Sequence, residues 1–160
     1  MSENMRIVNY LLCAICAVTL LSACEFDEHT FKPEPPADSQ SYVGLLTVDQ
    51  NDGTFFEKEN VDVEIELNDD GTMDIIMYKV KFASGMPIEL NMTIPGVSYT
   101  VEGAAYSLSG DGIVPLALGG KFEKFTITAL QGYVSADAME LMFNCGEYPV
   151  VYRSNTHIGE

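Results

Sequence analysis

The stretch Val61-Asp62-Val63-Glu64-Ile65-Glu66-Leu67-Asn68-Asp69-Asp70-Gly71-Thr72-Met73-Asp74-Ile75-Ile76-Met77 joins two alternations of apolar and polar residues through an acidic turn. A period of two sends Val61, Val63, Ile65 and Leu67 to one side of an extended chain. Asp62, Glu64 and Glu66 go to the other, as in a strand with one dry and one wet face. The turn sets the register. A loop of two or four residues would oppose Leu67 to Thr72 and Ile65 to Asp74, mixing the faces. The three-residue loop Asp69-Asp70-Gly71 opposes Leu67 to Met73, Ile65 to Ile75 and Val63 to Met77, and keeps them apart. Such a loop needs a left-handed residue at its third position, where Gly71 stands. Past Met77 the phase breaks: Lys79 and Lys81 would fall on the apolar side while Tyr78, Val80 and Phe82 wait on the other. A β-bulge near Met77-Tyr78, exchanging the faces by one extra residue, is therefore predicted.

Working outward, Ile88, Leu90, Met92 and Ile94 repeat the alternation up to a stop at Pro95-Gly96, and Val97, Tyr99 and Val101 resume it. Turn signals recur at Asn51-Asp52-Gly53, Ser109-Gly110-Asp111-Gly112 and Leu118-Gly119-Gly120. No amphipathic helix is evident, and Met139 to Phe143 reads as strand. Short strands separated by Gly and Asp turns describe an all-β antiparallel meander over residues 42–160, closing as a barrel or a β-sandwich.

The front of the chain differs in kind. Arg6 precedes an apolar run from Tyr10 to Leu21, the pattern of a secretory signal and too short for a membrane span. Glu3 interrupts the basic end, so translation is expected to start at Met5. Leu21-Ser22-Ala23-Cys24 resembles the lipobox of bacterial lipoproteins at every position. The resemblance implies removal of residues 1–23, a diacylglycerol on the Cys24 thiol and an acyl chain on its new amino group. Together these would anchor the chain stably in a membrane. Residues 24–41 follow as an acidic tether with Pro33, Pro35 and Pro36, a composition that joins no ladder. Glu25, Asp27 and Glu28 resemble the surface-export acids of some Gram-negative lipoproteins, and a solvated spacer accounts for them equally well. Cys13 and Cys16 leave with the signal and Cys24 carries lipid. Cys145 alone remains, and packing without disulfides must hold the fold.

Tyr42-Val43-Gly44-Leu45-Leu46-Thr47-Val48, the Asn68-Asp69-Asp70-Gly71-Thr72 turn, Gly85-Met86-Pro87-Ile88 and Pro149-Val150-Val151-Tyr152 resemble the calycin-like, lipocalin-related lipoproteins of Gram-negative bacteria. The resemblance spans Tyr42 to Arg153. It implies a roughly eight-stranded barrel, the size that fills itself or holds one small ligand, with no catalytic residues to carry over. The chain departs from the family at Tyr152-Arg153-Ser154, where a Thr-rich strand is common, which leaves the last strand's pairing open.

The chain has 160 residues with 24 Asp and Glu against 8 Lys and Arg, a formal net charge of −16. Binding nucleic acid through phosphates would bring two anions together, which excludes that partner class. General-base chemistry lacks its usual residue: His29 lies in the tether, and His157 lies past the patterned strands. Cys145, within Met142-Phe143-Asn144-Cys145, reads as a small buried hydrophobe and not a nucleophile. Glu64 and Glu66 read as solvated charges on a wet face, not a glycosidase pair. Asp49-Gln50-Asn51-Asp52-Gly53 opens like an EF-hand loop, but its glycine comes one position early and Asn60 stands where the last glutamate is needed. It reads as a turn. Asn91-Met92-Thr93 matches a glycosylation acceptor inside a strand of a bacterial-type export product, and is discounted.

No catalytic residue, metal or cofactor is therefore expected. The aromatics are the remaining candidates. Most are core by default, but in an open-mouthed barrel Tyr78, Phe82, Tyr99 and Tyr106 would line a pocket for a small apolar or carbohydrate-like ligand. The expected protein is a non-catalytic binding module, lipid-anchored at the outer membrane on its periplasmic or cell-surface side. The alternative is a structural, interaction or adhesion lipoprotein with a filled core and a protein partner.

Overall fold

The computed structural model describes residues 38–157. The signal segment 1–23, Cys24, tether residues 25–37 (including His29) and residues 158–160 lie outside the described residues. Ten strands follow in order. They are β1 Ser39–Asp49, β2 Phe55–Leu67, β3 Thr72–Val80, β4 Leu90–Glu102, β5 Ala105–Gly110, β6 Leu116–Ala117, β7 Gly120–Lys121, β8 Ile127–Ser135, β9 Met139–Cys145 and β10 Tyr148–His157. One turn of 3-10 helix covers Glu123–Phe125.

Eight strands, β1–β2–β3–β4–β5–β8–β9–β10, form a closed antiparallel ring, because β3 pairs with β4 and β10 pairs back onto β1. An up-and-down meander brings its last strand antiparallel to its first only when the strand count is even, and closure leaves no long edge exposed. The protein is thus a barrel and not a sandwich. The β6–β7 hairpin lies against β4 at Met92 and Thr93, beside the ring.

The founding hairpin has the register read from the sequence: Leu67 faces Met73, Ile65 faces Ile75 and Val63 faces Met77. Gly71 has φ +80° at the third loop position. Asp70 Oδ1 accepts from the Thr72 amide at 3.0 Å, closing the turn. The bulge is also present. Met77 faces Met92 and Val80 faces Leu90, so Tyr78 and Lys79 oppose one residue of β4, with Lys79 at φ 51°. Met73, Ile75 and Met77 are buried before it, Val80 and Phe82 after it.

Three expectations are corrected. Pro95-Gly96 does not end a strand: β4 runs through it as a second bulge, pinned by Asp74 Oδ1, which accepts from the Gly96 amide at 3.0 Å. Ile88 lies before β4 and is 51% exposed. β1 begins at Ser39, so Ser39, Gln40 and Ser41 belong to the barrel, and the Gln40 side chain donates to the Ala136 carbonyl at 2.7 Å. The final strand, whose pairing the sequence left open, continues to His157 and pairs with β1 and β9.

Further bulges interrupt β2 at Asn60 and β8 at Ala129, where φ is 55° and 50°. Each advances the inward set by one residue, from Phe56 to Val61 in β2 and from Ile127 to Leu130 in β8. In β1, Gly44 faces inward where β10 crosses closely, and a Cβ there would collide with the Arg153 carbonyl oxygen.

Two substitutions should act with opposite sign. Gly44→Ala must push backbone aside and should destabilise by about 2 kcal/mol or more. Ala129→Gly, at an exposed left-handed position, should relieve strain and stabilise by about 1 kcal/mol. Thermal unfolding followed by circular dichroism measures both, and stabilisation by Gly44→Ala would contradict the close crossing.

Candidate functional site

The expected site was the barrel interior. Its inward positions are occupied by Leu46, Val63, Ile65, Ile75, Met77, Met92, Ile94 and Leu141, each fully buried. Full burial means that no water-sized space adjoins these side chains from inside or outside. An eight-stranded ring is just wide enough to be filled by such residues, and this one is.

Both poles are plugged. At the pole where β1 begins, the Tyr42 hydroxyl crosses to donate to the Ser135 carbonyl at 2.7 Å. The rings of Tyr99 and Tyr106 meet edge-on there with centroids 4.9 Å apart. At the opposite pole Phe125, carried by the 3-10 turn, packs on Phe82 at 5.9 Å and on Phe122 at 4.9 Å. Cys145 is buried behind it with its thiol 3.8 Å from the Phe125 carbonyl oxygen. Burial pushes the Cys145 thiol well above its ordinary pKa, which suits a packing group and not a nucleophile.

The four aromatics expected to line a pocket do not share one. Tyr78, on the outward phase of β3 with Asp74 and Ile76, donates to Glu64 Oε2 at 2.8 Å on the outer wall. That bond, with burial and the neighbouring acids, raises its phenol above the ordinary value. Phe82 belongs to one plug. Tyr99 and Tyr106, the pair that is brought together, belong to the other. The Asp49–Gly53 segment forms the β1–β2 turn: Asp49 Oδ1 accepts from the Asn51 amide at 2.8 Å and Asp52 Oδ1 from the Thr54 amide at 2.9 Å. His157 stands on a strand after all, paired through its backbone with Tyr42. Among the described residues, no three His, Cys, Asp or Glu converge as a metal site.

Concave surface lies on the outside. A groove of about 510 Å³ runs over the outer face of β5, β8 and β9, bounded by Ser107, Ser109, Gln131, Tyr133, Glu140 and Met142. Cross-strand register builds it. Ser107 faces Tyr133, which faces Glu140; one row on, Ser109 faces Gln131, which faces Met142. A smaller groove of about 370 Å³ lies along the β6–β7 hairpin beside Asn91 and Thr93. The sequence reading missed the first groove because its residues are the polar phase of three strands. The available signal was Tyr133 and Met142, large apolar groups at outward positions, 45% and 44% exposed.

Compared with protein-family models, with curated proteins and with solved structures, the chain matches none.

The buried tyrosines make stability pH-dependent. Burial is the main cause raising both Tyr42 and Tyr152, whose hydroxyl donates to the Val61 carbonyl at 3.1 Å, far above their ordinary value of 10.0. The folded state keeps both protons where the unfolded chain has released them. Their stabilisation is therefore complete below about pH 10 and is lost as pH rises further. The melting temperature should fall steeply above pH 10, and the Tyr42→Phe, Tyr152→Phe double variant should show a shallower fall from a lower starting value. Equal slopes in the two proteins would refute the assignment.

Proposed function

We propose that the protein is a lipid-anchored, extracytoplasmic, non-catalytic recognition lipoprotein of the calycin-like kind, which works through the outer wall of its barrel. The filled interior carries this reading. Among the described residues the inward side chains are buried against one another, which disfavours an enclosed apolar ligand, and recognition falls to the outward face, which carries the two grooves described above. The quoted sequence motifs and the eight-stranded ring support the calycin-like kinship, and the lipobox supports the anchor. The chain enters the barrel at Asp38, whose carbonyl accepts from the Leu67 amide at 2.9 Å. The outer membrane, on its periplasmic or cell-surface side, is the location proposed.

The second reading is a structural or adhesion lipoprotein whose outer wall meets a protein, and the same filled core favours it. Native mass spectrometry of protein extracted from its own cells separates the two. A co-purifying small molecule supports recognition of a ligand, and a stoichiometric protein supports the structural role. The anchor has its own test: Cys24→Ser should move the protein from the membrane to the soluble fraction, and persistence on membranes would overturn it.

A further inference from the structure

We propose that the outer face of β5, β8 and β9 binds an uncharged saccharide chain, with Tyr133 as the stacking platform. The proposal rests on the outer-wall reading above and assigns its ligand class.

The first support is where charge is absent. The chain has a net charge of −16, and on β2 the outward positions carry Asp62, Glu64 and Glu66. Across β5, β8, β9 and β10 the only charged side chains are Glu140 and Arg153, which pair with each other at 3.2 Å. A wall of four strands with no unpaired charge on so acidic a protein adds nothing to charge-based solubility. It does allow an uncharged ligand to cover the surface without desolvating unpaired ions. An anionic glycan or phosphate would find its one nearby cation already engaged by a carboxylate.

The second support is the chemistry displayed. A sugar ring offers a C–H face and a rim of hydroxyls, each both donor and acceptor. The exposed Tyr133 ring suits the face. The Ser107 and Ser109 hydroxyls and the Gln131 amide suit the rim, since each supplies donor and acceptor together. Met142 adds an adaptable apolar contact at the end of the second row.

The third is dimension. Neighbouring strands stand about 5 Å apart and successive outward residues about 7 Å apart along a strand. The two rows therefore make a shallow platform, and its 510 Å³ falls within the range of about 300–1,000 Å³ usual for ligand sites. A protein partner would need several large anchors filling pockets at its centre. This face offers one tyrosine and one methionine.

The test uses the full-length lipoprotein in a detergent free of sugar, applied to an array of neutral and acidic oligosaccharides. Positive classes are then measured by affinity electrophoresis through gels containing neutral glucan, galactan or mannan. The expected result is retention by at least one neutral class and by no purely anionic one. Tyr133→Ala should weaken retention about tenfold, and Gln131→Ala should weaken it less. Glu66→Gln, on the acidic face, should leave it unchanged, with unfolding curves showing all three variants folded. Retention of no neutral glycan would overturn the proposal, as would equal retention of wild type and folded Tyr133→Ala. So would a dimer that light scattering shows Tyr133→Ala dissolving, since a second copy would then own the face. Fractionation of Cys24→Ser does not depend on any of these outcomes, so the anchored-module reading can stand when the glycan assignment falls.

Discussion

The dry face of every strand has to stay inward along a strongly coiled path, and the rest of this structure follows from that constraint. In a ring of eight strands the inward line drifts as each strand twists, so strict alternation over a dozen residues would carry apolar side chains onto the outside. The barrel corrects the drift with bulges. One extra residue near Asn60, Lys79, Gly96 and Ala129 advances the inward set each time. Three of these places seat a residue other than glycine in the left-handed region, at a cost of about 1 kcal/mol each. Continuous burial of the core outweighs that cost, because a single core side chain contributes about 1.5–3 kcal/mol.

Closure also dictates what must be done where ladders end. The β2–β3 pairing stops at Val63 and Met77, and β2 continues toward Phe55 without β3 beside it. Side chains take over there. Lys58 Nζ donates to the Lys79 carbonyl and to Glu89, whose carboxyl that bond holds below the ordinary range. Gln50 donates to the Phe82 carbonyl at 3.4 Å and accepts from the Ser84 amide at 3.0 Å. Inside the barrel the same rule, that buried polar groups find partners, places the hydroxyls of Tyr42 and Tyr152 on strand carbonyls. With the described chain's one cysteine buried and reduced, hydrogen bonding and packing hold the ring without cross-links.

The same constraint decides which parts of the fold are legible in the sequence. The hairpin from Val61 to Met77 was legible because a single register satisfies both alternations and the Gly71 turn together. The bulge after Met77 was legible for the same reason, since two incompatible phases meet within a few residues. Pro95-Gly96 misled because proline and glycine spell a turn and a bulge alike, and only the pairing of Val97 with Met73 of β3 tells them apart. Ser39 to Ser41 read as tether by composition alone. What recruits them is long-range, the pairing of Ser39 with Glu66. Of the aromatic candidates, Tyr99 and Tyr106 do meet, but as a plug, since the widths of their neighbours and not their own identity decide whether space remains.

The candidate site escaped the sequence for a related reason. A catalytic constellation declares itself by rare residues at fixed spacing, whereas an outer-wall platform is assembled by register from common ones. Ser109, Gln131 and Met142 mean nothing in a line; two successive ladders make them neighbours. Charge carries the distinction instead. Among the described residues the carboxylates lie mostly on β2 and in the turns, while four consecutive strands of the ring carry one self-neutralised pair. Once the interior is full, the surface is all that remains for recognition. On this surface the four strands without unpaired charge are where a neutral partner meets the least electrostatic opposition.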